Sequence, residues 1–264
     1  MDDLISRLVR YIEKQSNIID LQFDPKILPP LPFDPYSSDP SLRSRIAHYL
    51  LLVASIDEGN VVGPADNARR LLARCHTQLK GELFSSDQKA FHEAIRKLDR
   101  LDSRLFEQIP IILASVNSFV QRIANGDMVE YSRQFSKPID LAEQISTNIL
   151  RMGKTIGSAR KKTWMYMRWM VRSAPDLNIF NHMNPSDLYV PVDRNVGRVA
   201  ACLSLLPLER LSSLRWDDVV NITDFARRLF PQDPVKVDYP FFLLGRKLAR
   251  APQLSERYLA SIIP

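Results

Sequence analysis

The sequence predicts an all-α protein, and three observations carry that expectation. Apolar residues recur at helical spacing in segment after segment, with charges on the opposite faces. No alternating apolar–polar stretch of useful length reads as a strand. Glycine is scarce, at 8 of 264 residues, whereas an all-β or Gly-rich-loop architecture needs it for its turns.

The elements follow in order. Leu4, Ile5, Leu8, Val9 and Ile12 make one face of a first helix. Pro25, Pro29, Pro30, Pro32, Pro35 and Pro40 then forbid a helix and read as an extended strap between two lobes, packed through Leu28, Leu31, Phe33 and Tyr36. From Ser41 helical patterns dominate. His48 to Ile56 is a nearly continuous apolar run, too leucine-rich for an ordinary strand, and it ends at Asp57-Glu58-Gly59-Asn60. Pro64-Ala65-Asp66 opens another amphipathic helix through Leu79, with proline at the first turn, where its missing N–H costs nothing. Further helices are expected at about 86–100, 103–125, 139–151, 159–172, 194–206, 216–230 and 238–249. There is no internal repeat and no low-complexity tract.

Composition excludes several classes of function. With 45% apolar and 25% charged residues the chain is ordinary globular material, long enough for one large domain or two small lobes. No stretch approaches the roughly 20 uninterrupted apolar residues of a membrane helix. The acidic opening Met1-Asp2-Asp3 stands where a signal peptide is basic, so a cytoplasmic protein is expected. Two cysteines, Cys75 and Cys202, cannot build a disulfide framework, a zinc finger or a four-cysteine cluster, and they read as buried apolar fillers. The four histidines are never three to five residues apart, so no metal is expected. GxGxxG and GxxxxGK are both absent, which disfavours nucleotide-cofactor folds.

Charge distribution says more than the net +6. Between Glu143 and Asp176 there is no acid, yet there are seven bases: Arg151, Lys154, Arg160, Lys161, Lys162, Arg168 and Arg172. Such a run is usually a solvated face. Here Trp164, Tyr166 and Trp169 are interleaved with it, a pattern that favours contact with a polyanion. The two tryptophans themselves read as core.

Within that run, Gly157-Ser158-Ala159-Arg160-Lys161-Lys162-Thr163 precedes the apolar helix Trp164 to Val171, and Leu141 to Leu150 is helical before it. Two helices joined by a short glycine-containing turn read as a helix-hairpin-helix, whose turn and free first-turn N–H groups face a phosphate. Later comes Val192-Asp193-Arg194-Asn195-Val196-Gly197-Arg198-Val199, with Asp193 at the mouth of a helix. Taken alone, Asp193 is a helix N-cap.

Together these segments resemble the helix-hairpin-helix DNA glycosylases, the HhH-GPD superfamily of endonuclease III and 8-oxoguanine glycosylase. Gly157–Thr163 resembles the superfamily's G-V-G-R-K-T-A turn, and Val192–Val199 its V-D-T-H-V-x-R-V signature, in the same order. Closer still is the similarity to a prokaryotic branch bearing GSACKR, RWMVR and PSDLIIPLD, matched here by Gly157-Ser158-Ala159, Lys161, Arg168 to Arg172, Pro185 to Leu188 and Val190 to Asp193. Ile222-Thr223-Asp224 and Phe230 to Lys236 continue that match, so the resemblance spans about residues 150–245. A further similarity is to archaeal 8-oxoguanine glycosylases, whose S-K-T-I-x-x-x-x-K places lysines at Lys154 and Lys161. The chain departs from the pattern at Arg194-Asn195, where the superfamily has Thr-His. It also lacks the four-cysteine loop and lengthens the interval between Lys161 and Asp193 to 32 residues.

The resemblance implies a two-lobed helical domain with the hairpin at the cleft between lobes: one lobe from about 40–175, the other from 1–39 and 186–264. It implies a monomeric DNA glycosylase with AP-lyase activity, acting without cofactor or metal on duplex DNA that carries a damaged base or an abasic site. Lys161 is the expected nucleophile by the hairpin register and Lys154 the second choice by the archaeal register, with Asp193 as the carboxylate that stabilises charge on the sugar. Gly157, Ser158, Arg160, Lys162, Arg168 and Arg194 are the expected DNA contacts. A nucleophilic amine must be neutral, and the surrounding like charges are expected to depress the Lys161 pKa. Asp57, Glu58 and Asn60 stand where related enzymes place pocket residues. The rival readings are a non-catalytic helix-hairpin-helix DNA-binding protein and an enzyme acting on RNA.

Overall fold

The computed structural model describes residues 2–15, 34, 36–57, 67–97, 107–153 and 157–264. Twelve α-helices run through these residues, and no strand is present among them. The first six are α1 (Asp2–Gln15), α2 (Pro40–Ile56), α3 (Asn67–Gln78), α4 (Gln88–Arg96), α5 (Ile109–Arg122) and α6 (Met128–Ser132). Then come α7 (Pro138–Asn148), α8 (Lys161–Val171), α9 (Arg194–Cys202), α10 (Trp216–Leu229), α11 (Asp238–Leu248) and α12 (Glu256–Ile262). The all-α expectation holds. No helix among the described residues is long and apolar enough to cross a membrane.

Most of the proline strap and the expected helix start at Pro64 lie outside the described residues. The strap's last proline, Pro40, stands at the first turn of α2, where Asp39 caps the helix by accepting the Ser41 N–H at 2.8 Å. The apolar run from His48 is the buried second half of α2, which packs against α3, α5, α6 and α8. A helix apolar on every side belongs in the interior. Two helices escape periodicity because they are too short to show it. α6 has five residues and forms behind Asp127, whose carboxylate accepts two backbone N–H groups; α12 has seven and is capped by Ser255. The expected helix over 194–206 stops at Cys202, because Ser204 turns left-handed at φ +58° and Pro207 follows.

α8 is the interior helix that matters most. Every residue from Lys162 to Val171 is buried, with Trp164, Trp169 and Tyr166 among the largest side chains in the core. Removing one such ring from a packed interior costs about 3–5 kcal/mol. α8 packs on α2 and α7, while α1 and α9 both pack on α11. Arg7 of α1 also donates to the Ala260 carbonyl in α12 at 2.9 Å. Among the described residues the buried apolar side chains, Ala94 apart, form one continuous cluster. A fully buried helix that carries a lysine and an arginine must find acceptors for them inside the protein.

Candidate active site

The site begins with the connection between α7 and α8, residues 149–160. It is longer than the short hairpin turn expected from sequence, because α7 ends at Asn148 and α8 starts at Lys161. Two ties fold it back. Thr163 Oγ1 donates to the Met152 carbonyl at 2.6 Å, and the Trp216 N–H donates to the Gly157 carbonyl at 2.8 Å. Ser158 forms an isolated bridge with Arg215, and the Trp216 ring stacks on Trp164 with centroids 5.9 Å apart. Glycine is required at 153: φ is +106°, and a Cβ there would stand 2.8 Å from Arg160 Cγ and 3.0 Å from its Cα. Arg160 enters α8 in a left-handed conformation at φ +49°, and no side chain caps the first turn of the helix. Its guanidinium pairs with Glu143 of α7.

Lys161, the first residue of α8, directs its Nζ to Asp57 Oδ2 at 2.9 Å. Asp57 is the residue that closes α2, and its side chain is 8% exposed against 32% for Lys161. Desolvation alone would lower the Lys161 pKa. The Asp57 carboxylate, through charge and hydrogen bond, outweighs it with help from Asp193 and Asp238, so the ammonium is held above its ordinary value. The expected depression by like charges is therefore corrected: the nearest charges are acids from other helices.

Asp193 opens α9. Its Oδ1 accepts the N–H groups of Asn195 at 2.7 Å and Val196 at 2.9 Å, so it is indeed an N-cap. It is a half-buried one that also faces open space beside Lys161. The buried segment Val190-Pro191-Val192 delivers it there, held where Thr223 Oγ1 accepts the Val190 N–H at 3.1 Å. Gly245 of α11 lets the first turn of α9 come close, since a Cβ at 245 would fall 2.0 Å from the Asn195 carbonyl oxygen.

Lys161, Asp193 and Asp57 line one cleft of about 630 Å³, within the range of small-molecule and cofactor sites. Basic residues line it (Arg151, Arg160, Lys161, Arg194 and Arg198) against the acids Asp57 and Asp193, and Lys162 borders it with its ammonium turned into the interior. The positive potential suits an anionic ligand, and a carboxylate beside a lysine suits proton transfer. Among the described residues no three His, Cys, Asp or Glu side chains gather as a metal site.

Residues 51–247 match the family described as "Protein of unknown function (DUF2400)". The chain belongs to the DUF2400 family. The span takes in the end of α2 with Asp57, the whole of α8 and Asp193, so the cleft lies inside the part that defines this DUF2400 protein. No curated protein matches the chain.

The expected residues divide. Gly157 and Ser158 sit in the tied-back connection, Ser158 on the cleft wall, and Arg160, Lys161, Asp193 and Arg194 reach the cleft. Lys154 lies outside the described residues. Two expected DNA contacts are corrected. Lys162 is buried with Nζ on the Ser55 carbonyl at 2.7 Å, where a cation complements the C-terminal end of α2. Arg168 is 5% exposed and paired with Asp238 and Asp176. The arginine that ends the basic run, Arg172, pairs with Asp233 and Asp176. Sequence reading missed those acids, although Asp176 stands four residues after Arg172, one turn away had the helix continued. It also passed over Arg198, which the four-residue spacing from Arg194 places one turn further along α9 on the cleft side.

Proposed function

We propose that this DUF2400 protein is a DNA glycosylase with AP-lyase activity, acting as a cytoplasmic monomer in base excision repair. The observation that carries this reading is the convergence of Lys161 and Asp193, from different helices, on one cleft rimmed by basic side chains. A base flipped from the duplex enters the cleft, at a cost of a few kcal/mol that stacking and hydrogen bonds in the pocket offset. As the base departs, positive charge develops on the sugar, and Asp193 stabilises it. The neutral Lys161 amine attacks C1′ and the base leaves with the bonding electron pair, taking the proton shed by the nitrogen. The C1′–O4′ bond then opens, O4′ is protonated from solvent, and the resulting iminium links protein and sugar. Loss of a C2′ proton from that iminium then breaks the C3′–O bond. Arg160 and Arg194 at the rim, with the uncapped first turn of α8, hold the flanking phosphates.

One observation favours a second reading, a DNA-binding protein without catalysis: Asp57 holds Lys161 as an ammonium, which grips phosphate but does not attack. Borohydride trapping separates the two. Duplexes carrying an abasic site or one of several base lesions are incubated with the protein under reduction, and a covalent adduct is expected with at least one. Lys161→Gln is expected to abolish the adduct while leaving binding within about tenfold, since one phosphate contact among several carries little of the total. Tight binding with neither an adduct nor base release on any duplex decides for the binder.

A further inference from the structure

We propose that Asp57 is the proton relay of the active site, taking a proton from Lys161 as the amine attacks and returning it to the oxygen that leaves. The inference rests on the lyase reading above. It starts from an unfavourable placement: a carboxylate at the C-terminal end of α2 faces the negative end of the helix dipole, and it is almost wholly buried. A carboxylate in such a place needs a partner, and Lys161 Nζ at 2.9 Å is the partner it has. The pair lines the cleft, so the amine is open to a substrate on one side and to its base on the other.

The other charged groups around Lys161 do not compete for this role. Asp193 at the start of α9 has Oδ1 committed to two backbone N–H groups and Oδ2 beside Asn195 Nδ2 at 3.4 Å, while Lys161 Nζ is hydrogen-bonded to Asp57. Asp238 at the start of α11 is bonded to Arg168. Arg160 is paired with Glu143, and Lys162 is bonded to the Ser55 carbonyl. Arg198 donates to Asn195 Oδ1, while Arg151 and Arg194 on the cleft wall are cations that accept no proton. Asp57 is the base in hydrogen-bond contact with the amine.

The step balances on the ring-opened aldehyde of an abasic site. Asp57 accepts one proton from the Lys161 ammonium, and the free amine adds to C1′ to form a carbinolamine, its own proton passing to the former carbonyl oxygen. Asp57 then returns its proton to that hydroxyl, which leaves as water, and the C=N bond of the iminium forms. Ammonium plus aldehyde gives iminium plus water, with no change in charge and no outside acid or base. Because the proton that Lys161 sheds passes to Asp57 across their 2.9 Å hydrogen bond and comes back in the same cycle, the step exchanges no proton with solvent, and its rate is expected not to follow the pH of the medium.

The test measures the rate of borohydride trapping by the full-length protein on a duplex with a single abasic site, from about pH 6 to 9. Wild type is expected to trap at a rate nearly independent of pH across neutrality. Asp57→Asn is expected to lose about 10²-fold near pH 7, the scale of one general base. Its rate should climb about tenfold per pH unit, as the lysine deprotonates to solvent. Asp57→Ala is expected to regain adduct when formate is added, because formate occupies the vacated carboxylate position. A wild-type rate that itself climbs tenfold per unit through neutrality overturns the relay without any variant. An Asp57→Asn rate equal to or above wild type at pH 7 also overturns it, since Asp57 then only holds Lys161 charged, and so does an Asp57→Ala protein indifferent to formate. If wild type forms no adduct at all, the lyase reading falls and the relay with it, a different result from an adduct that ignores Asp57.

Discussion

The two ends of α8 carry bases from the same run of sequence and put them to opposite uses. At the entry, Arg160 and Lys161 each meet one acid beside an open cleft, and the Lys161 side chain keeps 32% of its exposure. Further along the same helix, Arg168 and Arg172 are enclosed with Asp176, Asp233 and Asp238, and the Arg168 side chain keeps 6%. The Arg160–Glu143 pair, whose acid is half exposed, can exchange its partner for a ligand at little cost, because such a pair contributes about 0–1 kcal/mol, whereas the buried Asp57 keeps a stronger claim on Lys161. A buried pair cannot, since removing one member leaves an uncompensated charge in the interior. Burial, not the density of bases in the sequence, decides which of them a polyanion can reach.

The largest effect is expected at the enclosed end. Arg168→Ala should destabilise the protein by about 3–5 kcal/mol, read as a lower urea midpoint, because Asp238 and Asp176 stay behind unneutralised. Stability within about 1 kcal/mol of wild type together with lost DNA affinity would return Arg168 to the binding surface. A smaller effect on the fold and a larger one on the ligand are expected at the open end. Arg160→Ala combined with Arg194→Ala should change stability by about 1 kcal/mol or less. It should also flatten the log–log salt dependence of DNA binding by roughly 2, at about 0.9 for each phosphate that the protein no longer neutralises. An unchanged slope would show that phosphate lies elsewhere.

Much of this contrast was legible in the sequence, and the part that was not has a physical reason. The all-α class, the core helix from His48, the buried Trp164 and Trp169 and the cap at Asp193 follow from periodicity and local chemistry. Lys161 and Asp193 stand out through the resemblance of their segments, and both reach the cleft. What a run of residues does not contain is its counter-charges. The stretch from Glu143 to Asp176 looks unopposed only along the chain. Its partners Asp57, Asp233 and Asp238 arrive from α2, from the turn after α10 and from α11. The Lys161 pKa departs from the sequence expectation for the same reason: neighbours in sequence are cations, while the neighbour in space is a carboxylate.

The central claim is that the open end of α8 belongs to an enzyme, and base release by Asp193→Asn tests it most directly. A carboxylate that stabilises developing charge contributes to turnover and not to affinity, and losing such a group typically costs about 10²–10³ in rate. Asn keeps the oxygen that accepts the Asn195 and Val196 N–H groups, so α9 stays capped and the fold survives. The variant should bind a lesion duplex that wild type processes at least as tightly, and release the base at least a hundredfold more slowly. Base release at the wild-type rate, from a folded variant, would contradict the account.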